Sequence, residues 1–270
     1  MTWDWAGQRV WIIGASSGIG AELARELDRR GARVAISARR LDALRKVAQE
    51  RMAVVPMDAS DPDAVAAAAH RVRYALGGLD VLVFSDGNWT QMLVRQFDAA
   101  VIRRHLEVNV GGLANAVQAV LPGFLDQRQG RIVGIASVAG YRGLPAAAPY
   151  GSSTAAMINL LESLRVDLHG TGVAVQTVCP GFVKTPMTDI NDFAMPWLVE
   201  VTRAARSIAD GVARDKAEIV FPLPMALAMK AARLVPVRVW PLLWQRARAR
   251  KPDRPRARPP LELRQPTSSS

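Results

Sequence analysis

The sequence predicts an α/β domain, a doubly wound parallel sheet of about seven strands with helices on both faces. Three observations predict it. Over the first 180 residues, short runs that are apolar throughout alternate with longer amphipathic ones. Strands without polar alternation belong to a sheet covered on both faces, and helices are the crossovers that parallel strands need. A glycine-rich turn joins the first apolar run to the first amphipathic one. Finally, 270 residues suit one large α/β domain, and a chain that is 50% hydrophobic and 22% charged is not disordered.

In chain order, strands are expected at 9–13, 33–37, 52–56, 79–84, 131–136 and 173–178, with a seventh at 218–222 closing one edge. Helices are expected at 19–30, 41–50, 64–76, 98–125 and 150–169, where apolar residues recur at helical spacing. Segment 181–217 reads as a loop followed by one or two helices, punctuated by Pro186 and Pro196. The domain boundaries follow: a body at 1–222, an apolar and basic segment at 223–247, and an Arg/Pro/Ser-rich tail at 248–270.

Charge separates these parts. Residues 1–229 carry 24 basic and 22 acidic side chains, whereas residues 230–270 carry 11 and 2. Most of the net charge of +11 therefore lies in residues 230–270. The opening MTWDWAGQRVWIIG has no basic n-region before its apolar run, so no secretory signal is expected. No transmembrane helix is expected either. One cysteine, Cys179, cannot form an internal disulfide, and a cytoplasmic location is expected.

The turn after the first strand reads Gly14-Ala-Ser16-Ser17-Gly18-Ile19-Gly20. Small residues here let backbone N–H groups approach a pyrophosphate at the positive end of the following helix, the Rossmann-type arrangement. The second strand ends at Arg39-Arg40, where an acidic residue would grip the ribose 2′-OH of NAD. Arginines there pair instead with a 2′-phosphate, so NADP(H) is the expected cofactor. Asp58, past the third strand, could accept from the adenine amino group or cap the turn before Ser60-Asp61-Pro62.

Taken with a Tyr150-Gly-Ser-Ser-Thr154 segment and Pro180-Gly181, these glycines make the chain resemble the short-chain dehydrogenase/reductase family over roughly residues 7–222. The resemblance implies catalytic roles for Asn109, for Ser137 and for Tyr150, thirteen residues after Ser137. It implies cofactor contacts from Gly87 and from the loop carrying Pro180, Gly181, Val183 and Thr185. It also implies a homodimer or tetramer built through helices 98–125 and 150–169. A carbonyl that receives hydride gathers negative charge on oxygen, which Ser137 would stabilise by a hydrogen bond and Tyr150 by a proton.

Two positions depart from the family pattern. The family's Lys, four residues after the Tyr, is Thr154, which brings no charge to lower the phenol's pKa. The Asn-Asn-Ala-Gly segment is Phe84-Ser85-Asp86-Gly87, which places a carboxylate near the cofactor's ribose. The expected function is an NADP-dependent carbonyl reductase or alcohol dehydrogenase. A non-catalytic dinucleotide-binding sensor or scaffold is the alternative.

The remaining reactive side chains read as structural. His70 and His105 are expected at surfaces or interfaces, His169 closes a helix before Gly170, and Cys179 is expected to be buried. Three histidines and one cysteine make no metal set. Segment 223–247 combines Leu, Met and Trp with flanking Lys and Arg, which suits either an anionic membrane surface or a lid over a substrate cleft. Its apolar character points to a lipophilic carbonyl or alcohol substrate. Nucleic acid is not an expected partner, since the tail lacks interleaved aromatics beyond Trp244.

Overall fold

A computed structural model describes residues 3–249. Seven parallel strands form one sheet in the order β3-β2-β1-β4-β5-β6-β7. They are β1 (Arg9–Ile13), β2 (Arg33–Ser37), β3 (Ala53–Val54), β4 (Val81–Phe84), β5 (Gly130–Ile135), β6 (Val173–Pro180) and β7 (Glu218–Phe221). Strand order reverses between β1 and β4, and the crevice above that point is where doubly wound sheets bind ligands.

Alternation along each strand builds two cores. Trp11, Ile13, Leu82 and Phe84 face α3 (Pro62–Leu76), α5 (Gly112–Asp126) and α6 (Ala148–Asp167). Val10, Ile12, Val34 and Ile36 face α1 (Gly18–Arg29), α2 (Leu41–Ala48) and α8 (Val201–Ala213). Both faces are covered, which is why these strands could be apolar at every position.

Three expectations shift. The strand expected at 52–56 shortens to Ala53–Val54 at the sheet edge. The helix expected at 98–125 is α4 (Ala99–His105), a wider π turn at Leu106–Gly111, and then α5. Among the described residues, Ala99–Asp126 is the one helical run long and apolar enough to cross a membrane. Its Leu113, Ala116, Val120 and Phe124 are buried against the sheet, as expected of a core helix. His105, expected at a surface or interface, is buried within the chain at 2% exposure, its Nδ1 2.8 Å from the Val101 carbonyl.

The compact body runs to Leu234 and so includes α9 (Leu223–Leu234), past the boundary expected at 222. Met225, Ala226, Met229 and Ala232 are the reason: they bury one face of α9 on the body. From Val235 a second unit begins, with α10 (Trp240–Ala249) carrying Trp240 and Trp244 edge to face at 5.7 Å. Most of the tail expected at 248–270 lies outside the described residues.

Candidate active site

The crevice begins at Gly14, whose φ of +86° favours glycine. A Cβ there would lie 2.3 Å from the Asp86 nitrogen, and one on Gly20 would lie 2.4 Å from the Gly14 carbonyl oxygen. The glycines thus let β1, β4 and the start of α1 close to backbone distance. At the mouth of α1, Ser17 is extended and its side chain makes no capping bond. The first N–H groups of a twelve-residue helix are left to face the crevice, a cradle that fits the pyrophosphate of a dinucleotide. Ser16, Gly18 and Ile19 belong to the same turn. Thr185 sits over it, since a Cβ on Gly18 would approach Thr185 Cγ2 to 3.4 Å.

At the ends of β2 and β3 the side chains take over. The guanidinium of Arg40 reaches back to donate to Ser16 Oγ at 3.2 Å, while Arg39 is exposed beside it. Asp58 accepts from the Ser60 nitrogen at 3.0 Å and hydroxyl at 2.7 Å, which hold its carboxyl below the ordinary range. Its turn-capping role is therefore realised. Asp86 is a charge neighbour of both Arg39 and Asp58, and burial pushes its carboxyl pKa up.

Ser137 lies at the carboxyl end of β5, accepts from the Ala139 nitrogen at 3.1 Å and donates to the Pro180 carbonyl at 3.5 Å. The Ser137 hydroxyl stands beside the Tyr150 phenol and acts to lower its pKa. The two residues implied to work together are thus brought together. Burial pushes the Tyr150 pKa up, against the smaller opposing effect of the Ser137 hydroxyl. Tyr150 is held in its protonated form.

Thr154 does not replace the missing cation. Its hydroxyl donates back to the Tyr150 carbonyl at 2.8 Å and the Gly151 carbonyl at 3.3 Å, and the residue is buried at 2% exposure. Asn109 sits in the π turn and ties elements together. Its amide accepts from the Asn88 nitrogen at 2.8 Å and donates to Ser153 Oγ at 2.9 Å. Gly87 lies against it, where a Cβ would come 3.4 Å from Asn109 Oδ1. Gly181 and Val183 continue from β6. Gly181 donates to the Phe221 carbonyl at 2.8 Å, and buried Val183 bridges to Val199, so the loop's two ends are tied together.

Several site residues carry no sequence signal. Trp89 packs edge to face on Tyr150 at 5.2 Å. Behind the Ser137 turn, the buried Tyr141 phenol donates to Glu218, which also accepts from Lys230 of α9. Burial pushes the neighbouring Cys179 thiol up to about 12. Cys179 is thus inert at neutral pH, as its expected burial implied. Neither Tyr141 nor Trp89 belongs to a spaced motif, so only the folded arrangement reveals them.

The family profile described as short chain dehydrogenase matches residues 8–193, more than half of the chain. The chain belongs to the short-chain dehydrogenase/reductase family. By class it is an oxidoreductase. It is 37% identical over 231 residues to an uncharacterized oxidoreductase of Myxococcus xanthus, covering 83% of this chain and 91% of that one. It is 31% identical over 198 residues to human dehydrogenase/reductase SDR family member 7, covering 69% of this chain and 58% of the relative. Among solved structures, a short chain dehydrogenase from Burkholderia cenocepacia in complex with NADP superposes with a TM-score of 0.77 at 25% identity, over 92% of this chain and all of that one. A variant of actinorhodin polyketide ketoreductase with NADPH superposes with a TM-score of 0.72 at 28% identity, over 80% and 95% of the two chains.

Proposed function

We propose that this short-chain family member is an NADP(H)-dependent carbonyl reductase acting on lipophilic ketones or aldehydes. The observation that carries the reading is the pairing of the Ser137 hydroxyl with the Tyr150 phenol at the carboxyl edge of the sheet, where burial pushes the phenol's pKa up. The bound cofactor supplies the hydride. Ser137 offers its hydroxyl to the carbonyl oxygen as charge gathers there, and Tyr150 delivers the proton. Asn109 holds the Asn88 loop and the Ser153 face of α6 in register beside them.

Arg39 and Arg40 support a preference for the 2′-phosphate, Arg40 being already turned toward the glycine turn through Ser16. The NADP and NADPH carried by the solved relatives agree with this assignment. Without a lysine at position 154, reduction is favoured over oxidation, because oxidation needs the phenolate. The test is NADPH consumption against a panel of ketones and aldehydes, with cofactor binding measured separately. Binding of NADPH with no turnover across the panel would favour a non-catalytic sensor or scaffold.

The partners proposed for the protein lie outside the cleft. Exposed Val166 on α6 and Leu125 on α5 suit a homodimer or tetramer contact. Exposed Leu223 and Leu227 of α9, Leu242 and Leu243 of α10, and the basic 230–270 segment support peripheral association with an anionic membrane from a cytoplasmic location. Deletion of 235–270 is expected to abolish sedimentation with anionic vesicles at low salt while NADPH binding persists. Equal sedimentation of both forms contradicts the membrane assignment.

A further inference from the structure

We propose that Trp89 is a specificity-determining and positioning residue, and that with Asn191 it forms a latch between the proton donor and the loop over the cleft. Resting on the assignment of Tyr150 as that donor, the proposal begins from one side chain with two partners. The indole ring packs edge to face on Tyr150, centroids 5.2 Å apart and planes at 81°. Its Nε1–H donates to Asn191 Oδ1 at 2.9 Å, just past the short helix α7 (Pro186–Asp189).

The inner end of the latch is rigid. Asn88, the neighbour of Trp89, is hydrogen-bonded through its nitrogen and its carbonyl to Asn109, at 2.8 and 3.4 Å. Asn109 in turn binds Ser153, which donates to the Tyr150 carbonyl at 3.0 Å. Trp89 and Tyr150 therefore stand on one hydrogen-bonded base. The outer end is lightly held: among the described residues, the other hydrogen bond of the Asn191 side chain is a weak one to Met195 Sδ at 3.5 Å. Ile190 is 72% exposed, and Trp197 and Leu198 are exposed as well. Across the latch, Val94 and Phe97 are exposed on the segment that follows Trp89. Both segments joined by the Trp89–Asn191 bond are thus apolar and open to solvent, which suits a lipophilic carbonyl compound entering between them.

In the closed arrangement the indole covers the ring of Tyr150 and limits the bulk that can reach its hydroxyl. A slender carbonyl passes, and one branched beside the carbonyl meets the indole. The indole thereby sets the shape of substrate accepted, and the Asn191 bond sets how long the loop stays closed.

The experiment compares the native protein with Trp89→Ala, Trp89→Phe and Asn191→Leu. KM and kcat are measured for an unbranched and an α-branched aliphatic ketone, and chymotrypsin cleavage within 186–199 is followed without substrate. Trp89→Ala is expected to raise the branched-to-unbranched ratio of kcat/KM by about tenfold or more, a pocket-shape effect. Trp89→Phe keeps a ring and should keep most of the native preference, yet share with Asn191→Leu a faster loop cleavage and a raised KM. A ratio and a cleavage rate unchanged in all three variants overturn the proposal. If no variant, native included, reduces either ketone while NADPH binds, the reductase reading fails, and cleavage alone then decides whether the latch exists. Native-like cleavage in Asn191→Leu and Trp89→Phe would in that case overturn it.

Discussion

At the glycine turn of the crevice the decisive groups are backbone: the N–H groups at the mouth of α1, reached because Gly14 and Gly20 carry no Cβ. At the proposed catalytic end they are side chains: Tyr150 packs on Trp89, Asn109 reaches its carbonyl through Ser153, and Ser137 stands beside its phenol. A backbone cradle tolerates change in its neighbours, because main-chain donors persist whatever side chain replaces them. A side-chain group shifts its chemistry with one replacement. Thr154 is such a replacement: with its hydroxyl turned to the Tyr150 carbonyl, it removes a cation from the catalytic end and leaves the cradle untouched. The comparison implies that binding and catalysis can be separated by mutation.

The largest effect should come from the catalytic end. Tyr150→Phe removes the proton donor and is expected to lower kcat for ketone reduction by about 10²–10⁴-fold, the usual contribution of a general acid. Cofactor affinity, read by NADPH fluorescence titration, should stay native. A parallel loss of NADPH binding would break the separation.

At the adenosine end, replacing Arg39 and Arg40 together by Ala should weaken NADPH binding by about 1.5–3 kcal/mol for each charged hydrogen bond lost. NADH binding should hardly move, so the preference between cofactors disappears. Equal affinity for the two cofactors in the native protein would remove the basis for the assignment.

A smaller effect concerns Asp86, where the two ends meet. Burial raises its carboxyl pKa in the folded chain, against weaker lowering by the Gly87 nitrogen and Arg39. The folded state therefore prefers the proton. Below the ordinary carboxyl value of about 3.9 no stability is lost, and as pH rises through the higher folded value, ionising the group costs stability. Asp86→Asn should thus give a small rise in Tm at pH 7 that vanishes toward pH 4. A lower Tm at pH 7 would mean that the charge is used in pairing with Arg39.

The contrast between the ends also explains what could be read from the sequence. Strand positions were legible because each strand is buried on both faces and so apolar throughout, as in Val81–Phe84. The glycine turn was legible because only glycine tolerates the Gly14 geometry. Ser137 and Tyr150 were legible through the spacing that the family resemblance supplies. The π turn around Asn109 was not, since its apolar pattern matches an ordinary helix. Trp89 was invisible because its role depends on a partner, Asn191, far along the chain. The burial of His105 was not legible, because helical spacing cannot tell an imidazole buried with its Nδ1 on a carbonyl from one at a surface or interface.

The central claim is that burial keeps the Tyr150 phenol protonated and that no cation at position 154 opposes it. A pH–rate profile measured in both directions, on the native protein and on Thr154→Lys, tests it most directly. Native ketone reduction should be flat through neutral pH, and alcohol oxidation should emerge only above about 10, the ordinary phenol value, because burial raises the Tyr150 pKa. Thr154→Lys should move the onset of oxidation to lower pH, because an adjacent ammonium favours the phenolate. A native oxidation limb already present near pH 7, or an onset that Thr154→Lys leaves in place, would contradict the account.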